Sequence, residues 1–231
     1  MNHNLTSRTA ILVFAQSAEA EAKHKAIANT DALFDVLTDY TLKTVEKTGL
    51  PYFHINELQQ VGTTFGERFA NAIQAVYSKG FDRVITIGND SPQLKAQHIT
   101  EAECQLKNDK FVLGPSTDGG FYLMGLHKGQ FNAEAFKQLA WQTSALSKQL
   151  LRLVSVSVAV FRLPTLFDID TVEDIKSFIA YATRIPNKVL QIFLSILFQT
   201  TKIEVHATVT VENRYLKLSY NKGSPQLFQS A

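Results

Sequence analysis

Three acidic segments carry the residues of this 231-residue chain best able to do chemistry. The first is Gly88-Asn89-Asp90-Ser91-Pro92, directly after the apolar run Arg83 to Ile87. The second holds Asp118 followed by Gly119 and Gly120, and the third is Asp168-Ile169-Asp170-Thr171. Hard cations such as Mg²⁺ take oxygen ligands and commonly share them with substrate phosphates, so carboxylates at strand ends suit a nucleotide–metal site. Asp168 and Asp170 lie two apart, which in extended chain puts both on one face. Adjacent glycines cost conformational entropy and add nothing to a core, but they let backbone approach a ligand. Each segment also has a purely structural explanation. Asp90 could begin an Asp-Ser-Pro turn, Asp118 an Asp-Gly hairpin, and Asp170 or Thr171 could cap the next helix.

The elements that must position these groups follow from hydrophobic patterning. Ala10 to Ala15 is a continuous apolar run, as expected of a strand covered on both faces. A polar loop from Gln16 to Asn29 leads to a helix over Asp31 to Lys47, then a short strand over Tyr52 to Ile55. Thr63 or Thr64 caps a helix from Phe65 to Ser78, with Glu67 in its first turn and Gly80 closing it. Arg83 to Gly88 is a strand, Lys95 to Lys107 a helix, and Phe111 to Leu113 and Phe121 to Leu126 are strands. Ala133 to Leu139 and Ser144 to Leu153 read as helices, Val154 to Leu163 as a strand, and Thr171 to Thr183 as a helix capped by Thr171. This alternation predicts an α/β fold with a mostly parallel sheet between helices. Pro186 marks a boundary, giving a domain over 1–185 and an appendage over 186–231. The appendage comprises a helix from Asn187 to Phe198 and a hairpin of strands Lys202 to Val211 and Tyr215 to Tyr220. Its apolar Ile192, Phe193, Ile196 and Leu197 require cover by the core or by a second copy, and a homodimer is the expectation.

Composition narrows the function classes. Hydrophobic residues make up 45% and charged residues 19%, an ordinary globular balance. Lysine and arginine total 23 against 21 acids, with no long basic run, which argues against nucleic-acid binding. The single cysteine, Cys104, excludes an internal disulfide and a four-cysteine zinc cage; it reads as a buried thiol. The apolar run after the polar N-terminus is too short for a secretory signal, and the longest apolar stretch is about half of the ~20 residues a membrane span needs. A cytoplasmic protein with no membrane span is expected.

The order of Phe14-Ala-Gln-Ser17, Gly88-Asn-Asp-Ser-Pro92, Gly114-Pro-Ser-Thr-Asp-Gly-Gly-Phe-Tyr-Leu-Met-Gly-Leu126, Trp141-Gln-Thr143 and Asp168-Ile-Asp-Thr-Val-Glu-Asp174 resembles a bacterial family of glycosyltransferase-A-like proteins of largely unassigned activity. That family is similar in fold to the molybdenum-cofactor and phospholactate guanylyltransferases. The resemblance spans roughly residues 10 to 180 and implies a three-layer α/β/α nucleotide-diphospho-sugar transferase fold. It implies Mg²⁺ or Mn²⁺ at Asp90, Asp168 and Asp170, with Asp118 to Gly120 on the acceptor side and Asp118 orienting the acceptor. Family members usually carry a lysine, a proline, a glycine and a Lys-Thr-Arg group after the first strand. Here Lys23, His24 and Lys25 are the only basic residues between Gln16 and Ala26, beside Glu19 and Glu21. Lys23 and Lys25, with Gly119 and Gly120, are the candidate nucleotide-binding residues. The implied function is metal-dependent nucleotidyl or glycosyl transfer from a nucleotide or sugar nucleotide. The alternative is a non-catalytic nucleotide- or metabolite-binding relative that has lost its phosphate-binding loop.

Overall fold

A computed structural model of the chain describes residues 8–154, 158–181 and 185–198. In chain order, β1 (Thr9–Phe14), α1 (Ala18–Glu21), α2 (Thr30–Glu46), β2 (Tyr52–Ile55), α3 (Phe65–Ser78), β3 (Arg83–Ile87) and α4 (Ala96–Lys107) form the first half. The second half comprises β4 (Phe111–Pro115), β5 (Phe121–His127), α5 (Ala133–Lys137), α6 (Leu146–Val154), β6 (Val160–Arg162) and α7 (Val172–Tyr181), followed by helical residues 187–198, here α8.

The six strands make one sheet in the order β2-β1-β3-β5-β4-β6. β5 alone runs antiparallel to its neighbours. The reason for the apolar run in β1 is now visible: all six of its residues are buried, and successive side chains enter different cores. Ala10, Leu12 and Phe14 pack with Phe69, Ile73 and Val76 of α3, Phe136 of α5 and Leu150 of α6. Ile11 and Val13 pack on the opposite face with Val45 of α2 and Ile99, Ala102 and Leu106 of α4. A sheet covered on both faces is the arrangement that parallel strands require.

The third cluster joins Leu33, Phe34 and Leu37 of α2, Ile175 and Phe178 of α7, and Val189, Phe193 and Ile196 of α8. The apolar stripe of α8 is thus covered within the chain, where the sequence favoured a second copy. The predicted hairpin at 202–220 lies outside the described residues. Among the described residues no helix is long and apolar enough to cross a membrane.

Three expectations need correction. The loop over 16–29 contains α1, whose Ser17 caps it by accepting from Ala20 N at 3.3 Å. Val154 ends α6 rather than opening a strand, because Leu146, Leu150 and Val154 repeat every fourth residue and all three are buried. The strand itself begins at Val160, where pairing with Phe111 starts. Cys104 is exposed, not buried.

Candidate functional site

The three acidic segments meet at the carboxyl edge of the sheet. Asp90 follows β3, the 116–120 turn connects β4 to β5, and Asp168 and Asp170 precede α7. Main-chain hydrogen bonds fix their approach: Ile169 N donates to Asp90 O at 3.0 Å, Thr117 N to Leu166 O at 3.1 Å, and Leu166 N to Pro115 O at 3.1 Å. Crevices outside strand carboxyl ends are where open α/β sheets bind ligands. Here a cleft of about 1020 Å³ opens at that edge, lined by Asp90, Asp118, Asp168 and Asp170 among others.

One carboxylate oxygen from each of Asp118, Asp168 and Asp170 lies within 4.8 Å of the other two. Asp118, expected apart on the acceptor side, therefore joins the Asp168/Asp170 pair. Its Oδ1 accepts from Gly120 N at 2.7 Å and from the Ser116 hydroxyl. A Cβ on residue 120 would stand 3.0 Å from that oxygen, so the turn favours glycine there. Gly119 has φ +95°, and a Cβ on it would meet Ser144 O at 2.5 Å. Gly120 lines the cleft, whereas Gly119 lines a smaller cavity on the far side of the turn.

Electrostatics tie Asp90 to the same group. Burial, then the charges of Asp170 and Asp118, push its carboxyl up, against the pull of Lys25. Asp168 is 8% exposed. Burial and the neighbouring charges of Asp118 and Asp90 push it to about 7, although Thr117 Oγ1 donates to it at 3.0 Å. Crowded carboxylates raise one another's pKa because like charges repel in a poorly solvated site.

Lys25 supplies the counter-charge. Its Nζ lies 2.7 Å from Asp170 Oδ1 and 3.5 Å from Glu21 Oε2, donates to Ile169 O at 3.1 Å, and sits 4.3 Å from the Phe34 ring centroid. Burial alone would lower its pKa, but the charges of Asp90, Glu21 and Asp170 outweigh burial and raise it. Burial pushes buried Glu21 up as well. Lys23, by contrast, is exposed and is not among the cleft residues.

Aromatic side chains also line the cleft, and sequence reasoning found Trp141 among the motifs but not the cluster it joins. Phe14 ends β1, Phe65 and Phe69 come from α3, Phe121 starts β5, and Trp141 lies between α5 and α6. Trp141 lies 5.2 Å from Phe65 and 4.9 Å from Phe69 between ring centroids, and its Nε1 donates to Phe136 O at 2.7 Å. Arg68 also lines the cleft, donating from Nε to Gln60 Oε1 at 3.1 Å. Ser91, which sequence reasoning did not single out, is 4% exposed at the cleft, and its Oγ lacks a hydrogen-bond partner among the described residues. Phe14, Ser91, Phe121 and Trp141 lie within the motifs that carry the family resemblance, whereas Phe65, Arg68 and Phe69 come from α3 and had no local signal beyond their types.

Comparison with known proteins supports the architecture. Residues 38–143 match the family model described as an uncharacterized protein conserved in bacteria (DUF2064). The chain is similar to a structure titled as a candidate nucleotide-diphospho-sugar transferase from Desulfovibrio desulfuricans G20, with a TM-score of 0.70 and 20% identity over 84% of this chain and 98% of that one. It is also similar to 4-diphosphocytidyl-2C-methyl-D-erythritol synthase from Anaerococcus prevotii, with a TM-score of 0.52 and 12% identity over 77% and 99% of the two chains. No curated protein matches the chain in sequence. The fold is that of the nucleotide-diphospho-sugar transferases, as the motifs implied.

Proposed function

We propose that this protein is a metal-dependent nucleotidyltransferase or glycosyltransferase acting on a nucleotide or sugar nucleotide. The observation that carries the reading is the convergence of Asp90, Asp118, Asp168 and Asp170 on one cleft at the carboxyl edge of this fold. Their oxygen-only donor set and close spacing fit Mg²⁺ or Mn²⁺, with Asp118, Asp168 and Asp170 as the tightest trio and Asp90 facing them. Such a cation, when bound, neutralises charge on the phosphate oxygens of the leaving group. The acceptor nucleophile attacks phosphorus or the anomeric carbon while the phosphate leaving group departs, so positioning dominates the protein's task. Asp118 borders the acceptor side, where Trp141, Thr143 and Ser144 line the cleft and orient the incoming group. Lys25 is the phosphate-side partner, whereas the Gly120 backbone is taken up in holding Asp118 and Ser147, and Lys23 is exposed outside the cleft lining.

A second reading, a non-catalytic nucleotide binder, is favoured by one observation: Lys25 is already engaged by Asp170 and Glu21. A loop so poor in free positive charge grips a triphosphate weakly, and a diphosphate-linked ligand suits it better. Turnover assays with nucleoside triphosphates and sugar nucleotides, with Mg²⁺ or Mn²⁺, separate the two. The transferase reading expects metal-dependent hydrolysis or transfer with at least one donor that Asp168→Asn abolishes. Binding without turnover of any donor supports the second reading instead.

A further inference from the structure

We propose that the cavity behind the 116–120 turn is a second binding site, for a small organic anion bearing a phosphate or carboxylate group on an apolar body. The site is an open surface groove of about 400 Å³, and its Lys148, Arg152 and Arg162 are exposed. Its lining segregates sharply. Pro115 and Leu151 give it apolar surface, Leu113 being buried, while Lys148, Arg152 and Arg162 bring three cations and no acid lines it. Lys148 and Arg152 stand one helical turn apart on α6, a mildly unfavourable like-charge spacing that a bound anion would relieve. Arg162 enters from β6, held in register against Leu113 of β4. Among the described residues none of the three forms an ion pair, although most lysines elsewhere do. Guanidinium groups bind phosphate and carboxylate oxygens through paired N–H donors, and the two arginines here come from different elements.

This cavity shares Ser144 with the main cleft, and none of the four aspartates lines it. Gly119 lines the cavity, while Asp118 and Gly120 line the cleft. Ser147 of α6 donates its N–H to Gly119 O at 3.2 Å and its hydroxyl to Gly120 O. A ligand seated on α6 therefore bears on the turn that holds Asp118. Such a site does not depend on the transferase reading.

The test uses the full chain with phenyl phosphate and benzoate as probes, followed by calorimetric titration and by amide chemical shifts. Binding should perturb the Gly119 and Leu151 amides. Removing one charge-assisted hydrogen bond should weaken binding roughly tenfold or more, so Lys148→Gln/Arg152→Gln should weaken it about a hundredfold. A charge-matched control, Lys107→Gln/Lys176→Gln, alters distant surface and should leave binding unchanged. Arg162→Gln, outside α6, serves if the double variant fails to fold and should weaken binding about tenfold. The proposal is overturned if neither probe binds the wild type. It is equally overturned if the control loses as much affinity as the α6 variant, if Lys25→Met alone abolishes binding, or if only phosphatidylglycerol vesicles bind.

Discussion

Lys25 Nζ lies 2.7 Å from Asp170 Oδ1, which ties the loop after β1 to the segment before α7 and sets an ammonium beside the carboxylate group. The lysine side chain is 16% exposed and that of Asp170 48%, a half-buried pair that solvent screens in part. Lys25→Met leaves Glu21, Asp90 and Asp170 without that charge. The metal-free variant should lose roughly 1–3 kcal/mol of stability at neutral pH. Mn²⁺ should then raise its melting temperature by more than it raises that of the wild type, because no ammonium competes for Asp170. An equal Mn²⁺ shift in both proteins would argue against that competition.

Asp168 makes the metal-free protein pH-sensitive. Its folded pKa of about 7 lies above the ordinary carboxylate range, so between that range and pH 7 the native state holds a proton that the unfolded chain has released. Stability from this group is therefore present at low pH and falls as pH rises toward 7. Glu21 and Asp90, also raised, act with the same sign. One pKa unit is worth about 1.4 kcal/mol, so the loss amounts to a few kcal/mol at most. Thermal melts from pH 4 to 8 in chelator should show a steeper decline for the wild type than for Asp168→Asn. Parallel declines would remove Asp168 as the cause.

The aromatic cluster depends on the absence of a side chain at Gly66. A Cβ there would stand 2.7 Å from both Lys137 O and the Trp141 indole. Gly66→Ala should cost roughly 1–3 kcal/mol by overpacking and displace Trp141. Trp141 is the chain's only tryptophan, so intrinsic fluorescence reads its surroundings directly. We expect a shifted emission maximum in the variant and a change in wild-type emission on ligand binding at the cleft. Unchanged emission in a folded Gly66→Ala variant would contradict this packing.

Much of this was legible along the chain, for identifiable reasons. β1 and β3 are buried on both faces, so their apolar runs stand out, and the Thr64 and Glu67 capping pair marks the start of α3. Asp90, Asp118, Asp168 and Asp170 were visible because carboxylates at strand ends, in an order matching a known family's motifs, suit a metal–phosphate site. The grouping of Asp90 with Asp168 and Asp170 was expected, but the place of Asp118 was not: the main-chain bond from Thr117 N to Leu166 O brings its turn to the segment that leads into the pair. α1 is a single capped turn too short to leave a periodic signal, and the boundary between α6 and β6 falls inside one apolar stretch. The Phe14–Trp141 cluster and the cavity of Lys148, Arg152 and Arg162 are assembled across elements, which periodicity cannot register.

The loop between Gln16 and Ala26 should set ligand preference. Lys25 and Arg68 are the lysine and arginine that line the cleft, and Glu21 lies among them. Fewer phosphate charges then need neutralising for a sugar nucleotide than for a free triphosphate. Glu21→Gln removes an opposing charge and should strengthen triphosphate binding several-fold, with little effect on a diphosphate-linked ligand. Calorimetric titration of both ligand types against both proteins measures the ratio. An unaltered ratio would disconnect Glu21 from phosphate recognition.

The claim that the carboxylate cleft binds nucleotide through a divalent cation is tested most directly by thermal shift. Wild-type protein and Asp168→Asn are melted with a panel of nucleotides and sugar nucleotides, with Mn²⁺ or with chelator. A ligand at about a hundred times its dissociation constant stabilises a fold by about 2.7 kcal/mol, well within reach of such a screen. The account predicts that at least one ligand stabilises the wild type in Mn²⁺, not in chelator, and that Asp168→Asn loses the effect. A large shift that persists in chelator, or no shift with any ligand at millimolar concentration, would contradict it.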